Sequence, residues 1–189
     1  MTATHSTDAA VGRGRRRFHL QRLRATHHAA LRAAAACAVA LVPLTLGAAE
    51  NESSPIFGVT IPAGYRQWEL IAPSHETGGF NELRGILGNP LAMKAYRDGT
   101  LPFPDGTILA KIAWKREPSS EFEGAFVPGR PTTVQVMVKD SKKYESTGGW
   151  GFGRFIDGRA VDRAQHETCL GCHQASVKGH DYVFTRFAP

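Results

Sequence analysis

The stretch PDGTILAKIAW, residues 104–114, indicates the fold class because its side chains alternate with a period of two. After a turn at Asp105-Gly106, four apolar side chains fall on one face: Ile108, Ala110, Ile112 and Trp114. The opposite face carries Leu109, Lys111 and Ala113. Successive side chains of a β-strand point to opposite faces of a sheet, so this pattern predicts a strand.

Further strands are predicted after this stretch. TTVQVMVKD (132–140) alternates, with its valines on one face, and GGWGFGRFIDG (148–158) is an aromatic strand interrupted by glycines. YVFTRF (182–187) would close the sheet at the C-terminus. Three or four strands at this spacing predict an α+β fold, mainly an antiparallel β-sheet with a few short helices. A four-helix bundle is disfavoured, because four long amphipathic helices cannot be drawn from the sequence.

The segments before residue 104 are less regular. ENESSPIFGVTIPAG (50–64) is predicted to be irregular, and YRQWELIAP (65–73) can open as a helix or a strand. NPLAMKAYRDG (89–99) has apolar residues at helical spacing, with Leu91 and Ala95 the clearest. Asn89 is a suitable N-cap, Pro90 a suitable first residue and Gly99 a suitable stop, so we predict a short helix here.

The basic charge of the chain is concentrated in residues 1–49. They hold seven arginines and one acid, Asp8, which account for the formal net charge of +6. Residues 50–189 are balanced, so nucleic-acid binding is not predicted. RGRRRFHLQRLR (13–24) precedes an apolar run that ends in small residues at Ala49, the pattern of a cleavable export signal. We predict a signal peptide at 1–49 and a periplasmic domain at 50–189 that is not membrane-attached; an uncleaved anchor is the alternative.

The stretch HETCLGCHQAS (166–176) carries the chemistry of the domain. Cys37 lies in the leader, so the mature chain keeps Cys169 and Cys172, separated by two residues and followed by His173. This is the attachment pattern of c-type haem, in which each thiol adds to a vinyl group and the histidine binds iron. We predict one covalent haem c per chain, on a C-terminal haem-binding helix. A chance match, a redox pair and a zinc site are the alternatives, and a zinc site would need four ligands, whereas no second cysteine pair exists in the mature chain.

The sixth iron ligand decides the function. Sixteen residues follow His173, and none is methionine. Met93 and Met137 are predicted to lie in a helix and a strand, where packing is their ordinary role, and His75 and His180 lie in polar segments. An iron with an exchangeable sixth position is therefore favoured, and such an iron binds or activates small molecules rather than only relaying electrons.

Several of these pieces together resemble the cytochrome P-460 family. The matching stretches are IPAGYRQWELI, FNELR, AYRDGTLPFPDGTILAKIAW, GAFVPG, a VKD followed by a Gly-Trp strand, ETCLGCHQAS and DYVFTRF. The resemblance implies a periplasmic mono-haem protein with a mainly antiparallel β fold, often a homodimer. The named enzymes of the family oxidise hydroxylamine, and their signature is a lysine cross-linked to the porphyrin.

The resemblance also assigns residues by position. The match in DGTILAK implies that Lys111 is the cross-linked lysine; on residue type alone, a solvated lysine on an edge strand is the competing interpretation. Arg84 in FNELRGIL matches a distal-pocket arginine, with a surface salt bridge to Glu82 as the alternative. Glu167 is a candidate proton acceptor, or else an ordinary acid near a helix start. Four phenylalanines are candidates for the distal wall, with core packing as the default: Phe80, Phe103, Phe126 and Phe152.

Three functions stay open at this point. The first is oxidation of hydroxylamine with Lys111 cross-linked, the second is non-catalytic binding of nitric oxide or carbon monoxide, as in the cytochrome c-prime beta relatives, and the third is simple electron transfer. Lys111 and Arg84 favour the first. The expected partners are a small N–O molecule, hydroxylamine or nitric oxide, and a soluble cytochrome as electron acceptor.

Overall fold

The computed structural model describes residues 52–188. The signal peptide predicted for residues 1–49 lies outside the described residues. Within residues 52–188, no helix is both long and apolar enough to cross a bilayer.

The described chain forms a six-stranded antiparallel sheet whose strands follow one another in sequence order. The strands are β1 Glu69–Glu76, β2 Glu82–Gly88, β3 Ile108–Pro118, β4 Phe126–Lys139, β5 Trp150–Ile156 and β6 Arg159–Ala160. Helix α1, Pro90–Asp98, lies between β2 and β3, and helix α2, Arg163–Val177, follows β6. Short 3₁₀ helices occupy Tyr65–Gln67, Glu145–Thr147 and Lys178–His180. The predicted α+β class with a mainly antiparallel sheet is confirmed, with six strands instead of three or four.

The central strand β3 is covered on both faces. Ala110 and Ile112 pack on one side against Tyr65, in the segment that precedes β1. Leu109, on the other side, belongs to the main core with Trp150 and other apolar residues. Ile61, from the segment predicted to be irregular, packs against the same cluster, so this segment and Tyr65 cover the back of the sheet and leave the opposite face to the functional site.

Helix α1 begins and ends where the sequence predicts. The Asn89 side chain accepts a hydrogen bond from the backbone N–H of Ala92 at 2.9 Å, and Gly99 ends the helix with φ of 65°. Glycine adopts this left-handed conformation without the steric cost that a Cβ imposes. The helix buries Ala92, Met93 and Ala95, whereas Leu91 is partly exposed.

Helix α2 is fixed to the sheet by a buried histidine. His166 is its one buried residue. Its Nε2 accepts a hydrogen bond from the backbone N–H of Arg154 at 3.1 Å, so its Nδ1 carries the proton and donates to the Asp162 carbonyl at 2.9 Å. The C-terminal helix is thereby held against β5.

The C-terminal segment is not a strand, which corrects the prediction for residues 182–187. Asp181 and Tyr182 have φ of 47° and 65°, a left-handed conformation that turns the chain out of an extended path. The segment then runs without ladder pairing, and its end is attached by a hydrogen bond from the Ala188 N–H to the Ile71 carbonyl at 3.0 Å. It contributes Val183, Phe184 and Thr185 to the wall of a cavity.

Candidate haem site

A cavity of about 480 Å³ lies between the sheet, helix α2 and the C-terminal segment. Its sheet wall includes Arg84, Ile86, Leu109, Lys111, Met137 and Phe152. Its helix wall includes Gln165, Thr168, Cys169, Cys172 and His173. The volume falls within the range typical of cofactor and ligand sites.

The three residues of the attachment motif share one face of α2. Cys169, Cys172 and His173 are three and four positions apart, a spacing that places side chains one above another on a helix. All three line the cavity, and both thiols are free. Burial raises the pKa of the Cys169 thiol, so that thiol is protonated at neutral pH.

The orientation of His173 leaves one ring nitrogen for a metal. Its Nδ1 lies 2.6 Å from the Tyr182 carbonyl, an acceptor, so Nδ1 carries the proton and Nε2 keeps its lone pair. Burial lowers the pKa of His173, which keeps the ring neutral. A hydrogen bond of this kind fixes tautomer and orientation in metal-binding histidines. The ring is also packed between Phe152 and Phe184, with centroids at 5.1 and 4.9 Å.

A buried ion pair holds the segment that supplies this carbonyl. The Asp181 carboxylate lies 2.7 and 2.9 Å from the Lys139 ammonium, and both side chains are under a tenth exposed. Asp181 also accepts the backbone N–H of Phe103 at 2.8 Å, and Lys139 donates to the Gly148 carbonyl at 3.1 Å. The left-handed turn at Asp181-Tyr182 is thus fixed on both sides.

Lys111 lies in the middle of a cross-strand row on the cavity face. In the register of the sheet, Ile86 pairs with Lys111, Lys111 with Gln135, and Gln135 with Arg154. Directly paired residues point to the same face, so the four side chains stand side by side. The alternation predicted for β3 therefore places Lys111 in the cavity and not on a solvated edge.

The Lys111 side chain is partly buried, and its amine has no hydrogen-bond partner among residues 52–188. Burial, reinforced by the positive charge of Arg84, lowers its pKa to about 8. A lysine with so low a pKa is deprotonated in a substantial fraction of molecules just above neutral pH, and the neutral amine is the nucleophilic form.

Arg84 is both a cavity residue and the partner of Glu82. Its Nε and Nη2 lie 3.2 and 3.0 Å from Glu82 Oε2, and Thr132 donates to Glu82 Oε1 at 2.7 Å. Burial acts to raise the pKa of Glu82, but the hydrogen bonds from Thr132 and Arg84 outweigh it and the net pKa is lowered. Glu82 is therefore a fixed anion that orients the guanidinium toward the cavity.

The structure does not bring Glu167 to the cavity. Its carboxylate lies on the exposed side of α2, 3.6 Å from Arg163, and it is not among the lining residues. Glu82 is the acid that lines the cavity within the described chain.

The candidate aromatic and axial residues divide between cavity, core and surface. Phe80 and Phe152 line the cavity, Phe103 packs in the core against Trp150, and Phe126 is half-exposed beneath Arg116. Met137 lines the cavity, whereas Met93 is buried in the core. His75 bonds to Asn81 and His180 to the Val183 carbonyl, both outside the cavity.

Among the lining residues that sequence reasoning missed are two long polar side chains of the sheet wall, Gln135 and Arg154. Both lie on strands that were predicted, and the alternation places Arg154 in phase with Phe152. Their place in the cavity follows from the pairing register of the strands. The sequence alone does not provide that register, so it held no signal for these two residues.

Comparison with known families agrees with this site. The cytochrome P460 family model matches residues 62–185. The chain belongs to the cytochrome P460 family. A search of curated proteins finds no match. Membership implies a haem-binding cytochrome of the c type, so the iron cofactor anticipated from the motif is the one the family carries.

The residues of this cytochrome fit a haem. The cavity offers two free thiols, an imidazole nitrogen with an available lone pair and a buried Arg154 Nε that lacks a hydrogen-bond partner within the described chain. Among residues 52–188, no three His, Cys, Asp or Glu side chains cluster in a way that could hold a bare metal ion.

Proposed function

We propose that this protein is an exported periplasmic enzyme that oxidises hydroxylamine at a haem bound covalently through Cys169 and Cys172. In this proposal His173 is the proximal iron ligand through Nε2, and Lys111 forms an N–C bond to the porphyrin ring. The bound haem supplies the iron that binds hydroxylamine and accepts its electrons. The observation that carries the proposal is the partly buried Lys111 amine, which has no hydrogen-bond partner within the described chain, has a lowered pKa and lines the same cavity as the attachment motif.

The cavity suits Lys111 to covalent chemistry. Burial and neighbouring cations lower its pKa to about 8, which favours the nucleophilic amine. A buried lysine without a partner is costly, and a covalent bond to carbon would remove the charge that burial disfavours. Forming that bond on a ring carbon that carries hydrogen releases two electrons and two protons, so it requires an oxidant, for which we propose a peroxide.

Arg84 is proposed to hold the substrate. Its guanidinium, fixed by Glu82, can donate a hydrogen bond to the oxygen of hydroxylamine and stabilise negative charge that develops there. In forming nitrous oxide and water, two hydroxylamine molecules lose four electrons and four protons. We propose that the electrons leave to a soluble cytochrome. The lowered pKa of Glu82 makes it a poor proton acceptor, so its proposed role is to position Arg84.

Export and assembly belong to the same proposal. The arginine-rich leader with its apolar run and small-residue end supports secretion before haem attachment. A homodimer is proposed from the family resemblance.

Binding of nitric oxide without turnover is the second candidate. Apolar side chains form a large part of the cavity wall, among them Phe80, Ile86, Leu109 and Phe152. Such a wall suits a small neutral gas. In that case Lys111 would remain a free amine.

One experiment separates these functions. The exported holoprotein is denatured and its intact mass is measured, together with the absorption spectrum of the reduced native form. Cross-linking predicts a far-red-shifted reduced Soret band, together with hydroxylamine oxidation in the presence of an electron acceptor. Both should be lost in Lys111→Ala and retained in Lys142→Ala, which removes an exposed lysine. An ordinary c-type spectrum that Lys111→Ala leaves unchanged refutes the enzyme proposal, and a low-spin six-coordinate iron favours an electron carrier with Met137 as ligand.

A further inference from the structure

The backbone of Arg154 is held at the junction of the sheet and the haem-binding helix. Its N–H donates to the buried His166 at 3.1 Å, and its carbonyl accepts the Val161 N–H at 3.0 Å. Its side chain points to the cavity, in the cross-strand row with Gln135 and Lys111. The backbone from which this side chain extends into the cavity is therefore fixed by the fold at both its N–H and its carbonyl group.

The guanidinium lacks an acceptor within the described chain. Its Nε is fully buried and makes no hydrogen bond there. The guanidinium carbon lies over the ring of Phe80, 5.7 Å from its centroid. A buried charged donor without an acceptor is costly, so an orphan of this kind indicates a group that completes the site.

The cavity has an excess of positive charge. Three cations line it, Arg84, Lys111 and Arg154, against a single acid, Glu82. Both oxygens of Glu82 are already used, one by Arg84 and the other by Thr132. The charge of Arg154 also reaches the centre of the site, since it helps to lower the pKa of Lys111 and opposes the rise in the pKa of Cys169. No carboxylate in the cavity wall is left for Arg154.

We propose that Arg154 binds a planar oxyanion inside the haem cavity, either a propionate carboxylate of the haem or a small inorganic anion of the same shape. Two parallel N–H donors of a guanidinium match the two oxygens of such an anion, and the bond is stronger in a water-poor cavity. This proposal rests on haem occupying the cavity, and it does not depend on hydroxylamine being the substrate.

The test compares the wild-type holoprotein with two variants at this position. Arg154→Gln removes the charge, and Arg154→Lys keeps the charge but loses the planar fork. Arg159→Gln is the matched control, because it removes an arginine on the next strand that is 85% exposed. Intact mass and melting temperature establish that each variant is folded and carries haem. Should Arg154→Gln fail to fold, the comparison is made with Arg154→Lys.

Two readouts distinguish the sources of the anion. The first is the resonance Raman bending mode of the haem propionates, which responds to their hydrogen bonds. The second is a titration with sodium nitrite, followed by the Soret band. If Arg154 holds a propionate, the bending mode shifts in Arg154→Gln and the nitrite affinity stays unchanged. If it holds a small anion, nitrite binds about 10- to 100-fold more weakly and the mode stays unchanged.

Either result supports an oxyanion site at Arg154, and Arg154→Lys should fall between wild type and Arg154→Gln. The proposal is overturned if both readouts in the Arg154 variants equal those of Arg159→Gln. Hydroxylamine oxidation is measured separately on the wild type. A wild-type protein that carries haem but does not oxidise hydroxylamine refutes the proposed function and leaves both Arg154 readouts interpretable.

Discussion

Replacing Asp181 with alanine removes one partner of the buried Lys139–Asp181 ion pair and leaves the other partner in place. The Lys139 ammonium would lose contacts of 2.7 and 2.9 Å and keep only the Gly148 carbonyl and the face of Trp150. The backbone N–H of Phe103 would lose its acceptor at the same time. The variant therefore combines an uncompensated buried charge with an unsatisfied backbone donor.

The expected cost follows from the burial of the pair. The two side chains are 6% and 9% exposed, and breaking a pair in such surroundings costs about 3–5 kcal/mol of unfolding free energy. For a domain of this size, this corresponds to a fall in melting temperature of roughly 10–20 °C. Asp181→Asn should lose less, because asparagine tolerates the left-handed backbone and can still accept the Phe103 N–H.

The assay is thermal unfolding of the holoprotein followed by circular dichroism, with Asp98→Ala as the matched control. Asp98 pairs with Lys94 on the surface, where the side chains are 48% and 72% exposed, so its loss should cost less than about 0.5 kcal/mol. The iron–histidine stretching frequency of the ferrous protein should also fall in Asp181→Ala, because Tyr182, whose carbonyl accepts from His173, follows directly. Equal melting temperatures for Asp181→Ala and Asp98→Ala would refute the reasoning.

Two further predictions concern pH and packing. In the haem-free protein the pKa of Lys111 is lowered from 10.5 to about 8, so between those values the unfolded chain binds more protons than the folded one. The contribution of Lys111 to the unfolding free energy should therefore rise with pH across that window, and it is measured by urea denaturation as the difference between wild type and Lys111→Met, because the raised pKa of Cys169 acts in the opposite direction in both proteins. Gly148→Ala should destabilise more than Gly158→Ala, although both glycines have positive φ. A Cβ at Gly148 would lie 2.2 Å from the Tyr182 ring, and this overlap adds roughly 1–3 kcal/mol to the loss of unfolding free energy. A Cβ at Gly158 meets nothing within 4 Å. Equal losses of melting temperature in the two variants would contradict this packing.

Local patterns in the sequence were sufficient to predict the elements that place Lys111 and the attachment motif. The period-two alternation of residues 108–114 identifies the face on which Lys111 lies, because a strand has only two faces. Asn89 and Gly99 define the ends of α1 through cap geometry that depends on a few neighbouring residues. Cys169, Cys172 and His173 share a helix face by spacing alone.

Features that depend on distant pairing or on unusual backbone could not be read in the same way. Arg154 stands two strands away from Lys111, and only the register of β3, β4 and β5 brings the two side chains into one row. The C-terminal segment alternates like a strand, but positive φ at the non-glycine residues Asp181 and Tyr182 directs it over the cavity. The local sequence does not predict that conformation, because it is stabilised by the ion pair between Asp181 and Lys139, a residue of β4.

The position of Glu167 follows from helix geometry. It precedes Cys169 by two residues, and residues two apart on a helix do not face each other. A carboxylate adjacent to the motif in sequence is therefore directed away from the face that carries the thiols and His173, and the structure pairs it with Arg163 instead. The acid of the cavity comes from β2, where Glu82 is two residues from Arg84 and shares its face.

The arrangement of charges explains why a sheet suits this site. A sheet places side chains from neighbouring strands side by side, so three cations from β2, β3 and β5 can line one cavity wall while Glu82 neutralises only Arg84. Burial is the main cause of the lowered pKa of the central Lys111, the positive charges of Arg84 and Arg154 add to it, and Arg154 itself lacks an acceptor within the described chain. Because the charge of Arg154 contributes to the lowered pKa of Lys111, an anion bound at Arg154 should raise the pKa of a free Lys111 amine. Measuring that pKa with and without nitrite in a protein whose lysine is not cross-linked tests the coupling directly, and an unchanged value would show that the two cations act independently.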